Sequence, residues 1–293
     1  MVEKERKVAA WAGWLLLAAL WAVAMPAMAA GPGAVRKQIE SSLLLKGDVD
    51  IEPDGSVSQV MLDREEKLPE GVVKLVHYSA SRWKFEPVVV DGRAVRARAP
   101  MSVRVVARKL DGQYRVEIHS ASFQRYDATR RDTVTPIKMA PPRYPENAFR
   151  VGAGGTVYLI LKIGRDGTVQ DAVAEQVNLR IVASEGDMRK LRGILAQNAL
   201  GAAQKWTFNP PTEGDEVDDP YWTVRVPINY SFANQLSEED YGTWVSYVPG
   251  PRERAPWVIE EDRAGFSPDA LAEGGVYMAN QEGPRLLTPL QGG

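Results

Sequence analysis

Apolar and polar residues alternate through "GTVYLILKIG", so that Val157, Leu159, Leu161 and Ile163 share one face of an extended strand. Asp166-Gly167 follows and supplies the positive φ values that a tight hairpin needs, and a second strand is expected from Thr168 to Ala174. The period then changes. Met188, Leu191, Leu195, Ala199, Ala202 and Trp206 recur every three or four residues, which predicts a helix opened by a capping pair at Ser184 and Asp187. "WTFNPP" ends that helix, and Trp222, Val224, Val226, Ile228 and Tyr230 then alternate along a third strand.

The same succession occurs earlier with shorter parts. "GDVDIEPDGSVSQVML" reads as a hairpin around Asp54-Gly55, Pro69 opens a helix with Val72, Val76, Ser79 and Trp83 on its inner face, and Met101, Val103 and Val105 alternate beyond "WKFEP". Asp111-Gly112, flanked by "VRVVARKL" and "QYRVEI", adds a fourth strand to this unit. The near-repeat of "WKFEP" and "WTFNP" marks a corner in each copy. Trp on the last helical turn and Phe two residues on both face the sheet as the backbone becomes extended, and Pro stops the helix from resuming. The expected fold class is therefore α+β, two tandem ββαβ units, each a small antiparallel sheet covered by one helix.

Composition narrows the function classes. A chain of 293 residues with 44% hydrophobic and 25% charged residues has room for two cores. A net charge of −2 excludes the concentrated basic surface of a nucleic-acid binder. With no cysteine there is no disulfide, thiolate metal site or cysteine nucleophile. At the N-terminus Lys4, Arg6 and Lys7 precede an uncharged run from Val8 to Ala30 that ends in "PAMAA". That is the form of an export signal. Ala27 and Ala29 favour cleavage, whereas the length of the run and Trp11, Trp14 and Trp21 keep an uncleaved inner-membrane anchor open, since such a helix spans a hydrocarbon core of roughly 30 Å.

"PPRYPENAFRVGAGGTVYLILKIGRDGTVQDAVAEQ", a helix ending in "AQKWTFNPP", and a closing strand together resemble the C-terminal domain of the TonB family of Gram-negative cell envelopes, over residues 137–232. Residues 35–106 resemble a degenerate second copy without the Tyr-Pro lead-in of Tyr144 and Pro145. The resemblance implies a non-enzymatic protein-binding module of the periplasm. Its partner is an envelope protein such as a TonB-dependent outer-membrane receptor, which adds an extended segment beside the strand after the helix; self-association is the alternative. The residues this places at the partner are Arg143, Tyr144, Thr223, Arg225, Ile228 and Tyr230. Pro227 removes one donor from that strand. Family members that transduce energy carry Ser and His in the membrane helix and a long Pro-rich spacer; Val8–Ala30 contains neither residue and "GPGAVRKQ" is no such spacer. An accessory binding protein is therefore expected, with an anchored energy transducer as the alternative.

Other features add little chemistry. His77 and His119 are far apart in the chain, and "GDEVDD" lacks the spacing and turn glycine of a calcium loop, so no metal or other cofactor is expected. A carboxylate-dependent hydrolase would need two acids converging in a pocket, but the acids lie mainly in turns and tail, and no nucleophile motif accompanies them. No small-molecule substrate is implied. The organisation expected is a signal or anchor at 1–30, a degenerate domain at 31–123, a linker at 124–136, the clearer domain at 137–232, and an acidic tail at 233–293. In that tail, 10 acidic and 4 basic residues with 6 prolines show no sustained period, and irregular chain is expected apart from Trp244, Tyr247 and Trp257 packing back on a domain.

Overall fold

A computed structural model describes residues 31–110, 112–232, 241–258, 265–280 and 283–291. The signal or anchor expected at 1–30 lies outside the described residues. A short helix α1 (Pro32–Arg36) leads into a first sheet made from β1 (Glu40–Ile51) and β2 (Val57–Leu62), and α2 (Glu70–Ala80) packs on it. A small hairpin, β3 (Val89–Val90) and β4 (Arg93–Ala94), precedes β5 (Ala97–Leu110) and β6 (Gln113–Ser122). The order within the sheet is β2-β1-β5-β6, all antiparallel.

The second sheet follows β7 (Thr135–Lys138) and α3 (Glu146–Arg150). It is built from β8 (Gly155–Gly164), β9 (Val169–Leu179) and, after α4 (Glu185–Ala203) and the short β10 (Thr207–Asn209), β11 (Tyr221–Tyr230), in the antiparallel order β9-β8-β11. Ser184 caps α4, its hydroxyl accepting from Asp187 N–H at 3.2 Å. Met188, Leu191, Leu195 and Ala199 are buried against the sheet, with Ala203 rather than Ala202 as the deepest residue of the last turn. The fold is α+β, with each sheet covered on its outer face by one helix.

Each Trp-x-Phe corner is locked to the turn of its own hairpin. Phe85 N–H donates to Gly55 O at 2.8 Å, and Phe208 N–H donates to Gly167 O at 2.9 Å. The two glycines have φ of 83° and 75°, and a Cβ on either would stand 2.0 or 2.1 Å from the carbonyl oxygen of the same Phe. Glycine is thus required twice over, by conformation and by close approach of the corner. Trp83, Phe85, Trp206 and Phe208 are all buried, as core residues.

The tail does not run free. Residues of β12 (Val245–Tyr247) pair with Glu40–Ser42 of β1, and β13 (Tyr277–Met278) pairs with β11. Between them a turn at residues 268–270 touches β5, β6 and β11, so that turn forms a layer between the two sheets. Ser120 Oγ donates to Asp269 Oδ1 at 2.8 Å, and Arg104 hydrogen-bonds Asp269 O, giving that layer a buried polar character. Outside β12, β13 and the turn at 268–270 the described tail residues form no regular element, yet they are packed, with Tyr247, Val248, Leu271 and the run from Val276 to Ala279 buried in short stretches that carry no period.

The segment expected as a linker also takes part. Its end enters β7, which pairs with β10 so that Pro136 faces Phe208, and Trp206 Nε1–H donates to Ala140 O at 2.9 Å. Among the described residues no segment preceding β1 plays this part for the first corner. There the far C-terminus substitutes: Leu286 faces Phe85, and Trp83 Nε1–H donates to Leu290 O at 2.9 Å. In both corners the accepting carbonyl lies four residues beyond the paired one.

Candidate partner-binding edge

β11 is paired with β8 along its whole length, from Tyr221 opposite Gly164 to Tyr230 opposite Gly155. Its other margin is the one where an incoming strand would add. Ala279 N–H donates to Thr223 O at 2.8 Å, and Val224 and Arg225 stand opposite Met278 and Tyr277. Alternation along an antiparallel strand then directs the backbone groups of Thr223, Arg225, Pro227 and Asn229 to that margin. The tail takes the first two. What is left is Pro227, which has no N–H, and Asn229.

The residues expected at the partner divide accordingly. Thr223 and Arg225 are buried, and Arg225 Nε lies 2.8 Å from Glu175 Oε2 with both side chains about 3% exposed. Arg252 of the tail reaches the other oxygen of Glu175 at 2.7 Å, and Phe266 lies under the Arg225 guanidinium at 4.9 Å. Arg225 is thus an internal ion-pair residue in this state. Ile228 belongs to the core under α4. Tyr230 is buried too, its hydroxyl 2.7 Å from Asn198 Oδ1, and burial pushes its phenol well above the usual tyrosine range.

Tyr144 and Arg143 remain outside. Arg143 is exposed, and Tyr144 is half-buried, its hydroxyl donating to Ala153 O at 2.9 Å. The Tyr144 ring packs edge-on against Tyr230 at 5.6 Å and Phe149 at 5.7 Å, and tilted against Phe232 at 5.2 Å. Burial also raises the Tyr144 phenol. The structure therefore joins Tyr144 and Tyr230 in one aromatic cluster at the open end of β11, and separates them from Thr223 and Arg225. Phe149 is 56% exposed and Val151 55%. Sequence reading missed Phe149 and Phe232; the available signal was a lone Phe just before the glycine-rich entry to β8 and another just after β11.

The opposite margin of the sheet is also shared with the tail. Leu179 and Val248 exchange backbone hydrogen bonds at 3.1 and 2.7 Å, and Glu253 N–H donates to Glu175 O at 2.8 Å. The bare margins expected from sequence are thus bare only in part. Among the described residues no group of three or more His, Asp or Glu converges to hold a metal. His77 contacts Glu65, and His119 lies 3.7 Å from Asp269. No described helix is long and apolar enough to cross a membrane.

Comparison with known proteins places this geometry. Residues 140–232 match the family model of the Gram-negative bacterial TonB protein C-terminal domain. Two proteins named Protein TonB, from Xanthomonas campestris pv. campestris strains B100 and ATCC 33913, are 32% identical over 93 residues, which is 32% of this chain and 35% of each of theirs. The match thus spans about a third of the length of these relatives. The solution NMR structure of the Pseudomonas aeruginosa TonB C-terminal domain aligns with 39% of this chain and all of its own, at 17% identity and a TM-score of 0.25, so the sequence matches carry the assignment. Residues 140–232 of the chain are accordingly similar to the C-terminal domain of Gram-negative bacterial TonB proteins, and the likeness is confined to that segment.

Proposed function

We propose that the chain is a periplasmic binding protein that receives an extended segment of another envelope protein, such as a TonB-dependent outer-membrane receptor, at the distal end of β11. The observation that carries this reading is the stretch from Pro227 to Phe232, where the margin is clear of β13 and abuts the aromatic cluster of Tyr144, Phe149, Tyr230 and Phe232. Backbone groups there would hold the incoming strand and the aromatic rings its apolar side chains. A segment longer than this run must displace β13. That exchange is feasible because β13 is held by two residue pairs, against ten on the β8 side of the same strand.

The first sheet fits the same plan. Its order β2-β1-β5 parallels β9-β8-β11, and both corners close on a hairpin glycine, which supports a tandem arrangement with a degenerate first copy. In that copy the place of a lead-in is taken by residues 285–290, so it is read as a self-completed unit that supports its neighbour. The domain boundaries proposed are 31–123 and 137–232. An energising role is set aside because Val8–Ala30 holds neither Ser nor His and no long Pro-rich spacer follows.

Placing a photo-crosslinking amino acid at Phe149 or at Arg143 in cells of the native host tests the reading. Adducts with an outer-membrane or other envelope protein are expected from both positions, and not from exposed Tyr78 on α2. Adducts with cytoplasmic proteins alone, or none at either position, would overturn it. The N-terminal residue of the exported protein then separates a soluble periplasmic form from an anchored one.

A further inference from the structure

β6 forms a margin of the first sheet, lies outside residues 140–232, and is unlike the margins that the tail shares. Leu110 and Gln113 close its hairpin with β5 across two residues, so these two face each other as a hydrogen-bonded pair. Alternation then points the backbone groups of Gln113, Arg115 and Glu117 at β5 and those of Tyr114, Val116 and Ile118 away from it. Among the described residues no strand pairs with that outer margin; its first contacts are Gln291 Nε2, which donates to Ile118 O at 3.3 Å, and Ala121 N–H with Gly265 O. Tyr114 is 71% exposed and Val116 41%. Other open stretches are guarded by polar side chains, Gln170 and Asp171 on β9 and Ser58 and Gln59 on β2. β6 interleaves the exposed apolar Tyr114 and Val116 with exposed Gln113 and Arg115.

The occupant can be read from charge. If a second copy adds antiparallel, paired residues must both have outward backbone groups, so the two-fold axis passes through a residue and not between two. Centring it on Arg115 sets arginine on arginine, and centring it on Glu117 sets glutamate on glutamate. Centring it on Val116 sets Arg115 opposite Glu117 on both sides of the axis, Tyr114 opposite Ile118, and Gln113 opposite His119. That register leaves no like-charge pair and gives partners to the outward N–H and C=O groups of Tyr114 and Val116 and to the N–H of Ile118, whose C=O already accepts from Gln291.

We propose that the chain forms a two-fold dimer through β6, antiparallel and centred on Val116, independent of how β11 is used. The shared strand is short, so the dimer is weak and concentration-dependent.

The absence of cysteine makes the register directly testable. Val116→Cys is expected to crosslink under mild oxidation, because a hydrogen-bonded antiparallel pair holds its Cα atoms about 5.5 Å apart, within disulfide reach. Gln113→Cys, facing His119 across the axis, serves as the mismatched control. Sedimentation of the full chain should show a monomer–dimer equilibrium that Arg115→Glu and Glu117→Arg each weaken by roughly threefold to tenfold, and that a mixture of the two variants restores. Far-UV circular dichroism checks that each variant stays folded. A chain that is monomeric at every concentration, a Val116→Cys that crosslinks no better than Gln113→Cys, or charge variants whose mixture shows no rescue would overturn the proposal.

Discussion

Alanine at Gly167 tests the corner most sharply, because a second glycine provides the control. Gly167 has φ of 75° and an added Cβ would meet Phe208 O at 2.1 Å. Gly112, in the β5–β6 turn, has φ of 86° with nothing within 4 Å. Both substitutions incur the left-handed backbone cost of about 1–2 kcal/mol. Only Gly167→Ala must also push the corner away, losing the Phe208 N–H to Gly167 O hydrogen bond, about 1 kcal/mol, and opening the packing of Trp206 and Phe208. The expected destabilisation is about 3–5 kcal/mol for Gly167→Ala and about 1–2 kcal/mol for Gly112→Ala. Gly55→Ala, with a Cβ 2.0 Å from Phe85 O, should match Gly167→Ala but act on the first core. Urea unfolding followed by hydrogen exchange of amides assigned to each sheet resolves the two cores, which need not unfold together. Equal effects of Gly167→Ala and Gly112→Ala would refute the corner argument.

Three further outcomes are expected. Arg225→Ala should destabilise the second sheet by about 3 kcal/mol, since it leaves buried Glu175 with less compensation, whereas exposed Arg143→Ala should stay within about 0.5 kcal/mol of the parent in thermal melts. Ending the chain after residue 282 should raise hydrogen exchange at Glu86, whose N–H donates to Arg285 O, and weaken the first core while leaving the Phe208 amide protected. Stability should also fall at acid pH. Asp54 and Asp166 accept from Ser56 and Thr168, which holds both carboxyls below the usual range, so their contribution is complete above about pH 4 and is lost as pH falls below it. Asp54→Asn together with Asp166→Asn should flatten the acid limb of a stability profile.

The regular parts of the fold were legible because their periods are strong. The alternation from Val157 to Ile163, the spacing from Met188 to Ala199 and three of the four Asp-Gly turns each place a β or α element, and the hairpins and helices appear around them; the fourth, Asp91-Gly92, closes the small β3–β4 hairpin that was not expected. The corner was readable as burial of Trp and Phe. Its hydrogen bond to the hairpin glycine was not, because it joins residues distant in sequence through backbone atoms that carry no side-chain signal. The tail escaped for a related reason. Residues 277–279 and 285–290 are too short for a period, and their ordering depends on margins that other segments leave unpaired.

The candidate site was legible in part. Tyr144 and Tyr230 do meet, as aromatic residues near the two ends of one compact unit, and their neighbours Phe149 and Phe232 complete the cluster. Thr223 and Arg225 were placed at the partner by position along the strand alone. Reading their burial required knowing that Glu175 on β9, and Arg252 and Phe266 of the tail, converge on the same guanidinium. The charge of Arg225 is answered within the fold, so it marks an internal contact.

The most direct test of the binding account asks whether the β11 margin accepts an extended strand once the tail is removed. A synthetic peptide of residues 273–280 is titrated against the full chain and against a chain ending at residue 264, with hydrogen exchange read at residues 221–231. Binding to the shortened chain, with renewed protection at Arg225 and none gained by the full chain, is the result predicted; a folded shortened chain that gains no protection from the peptide would contradict it.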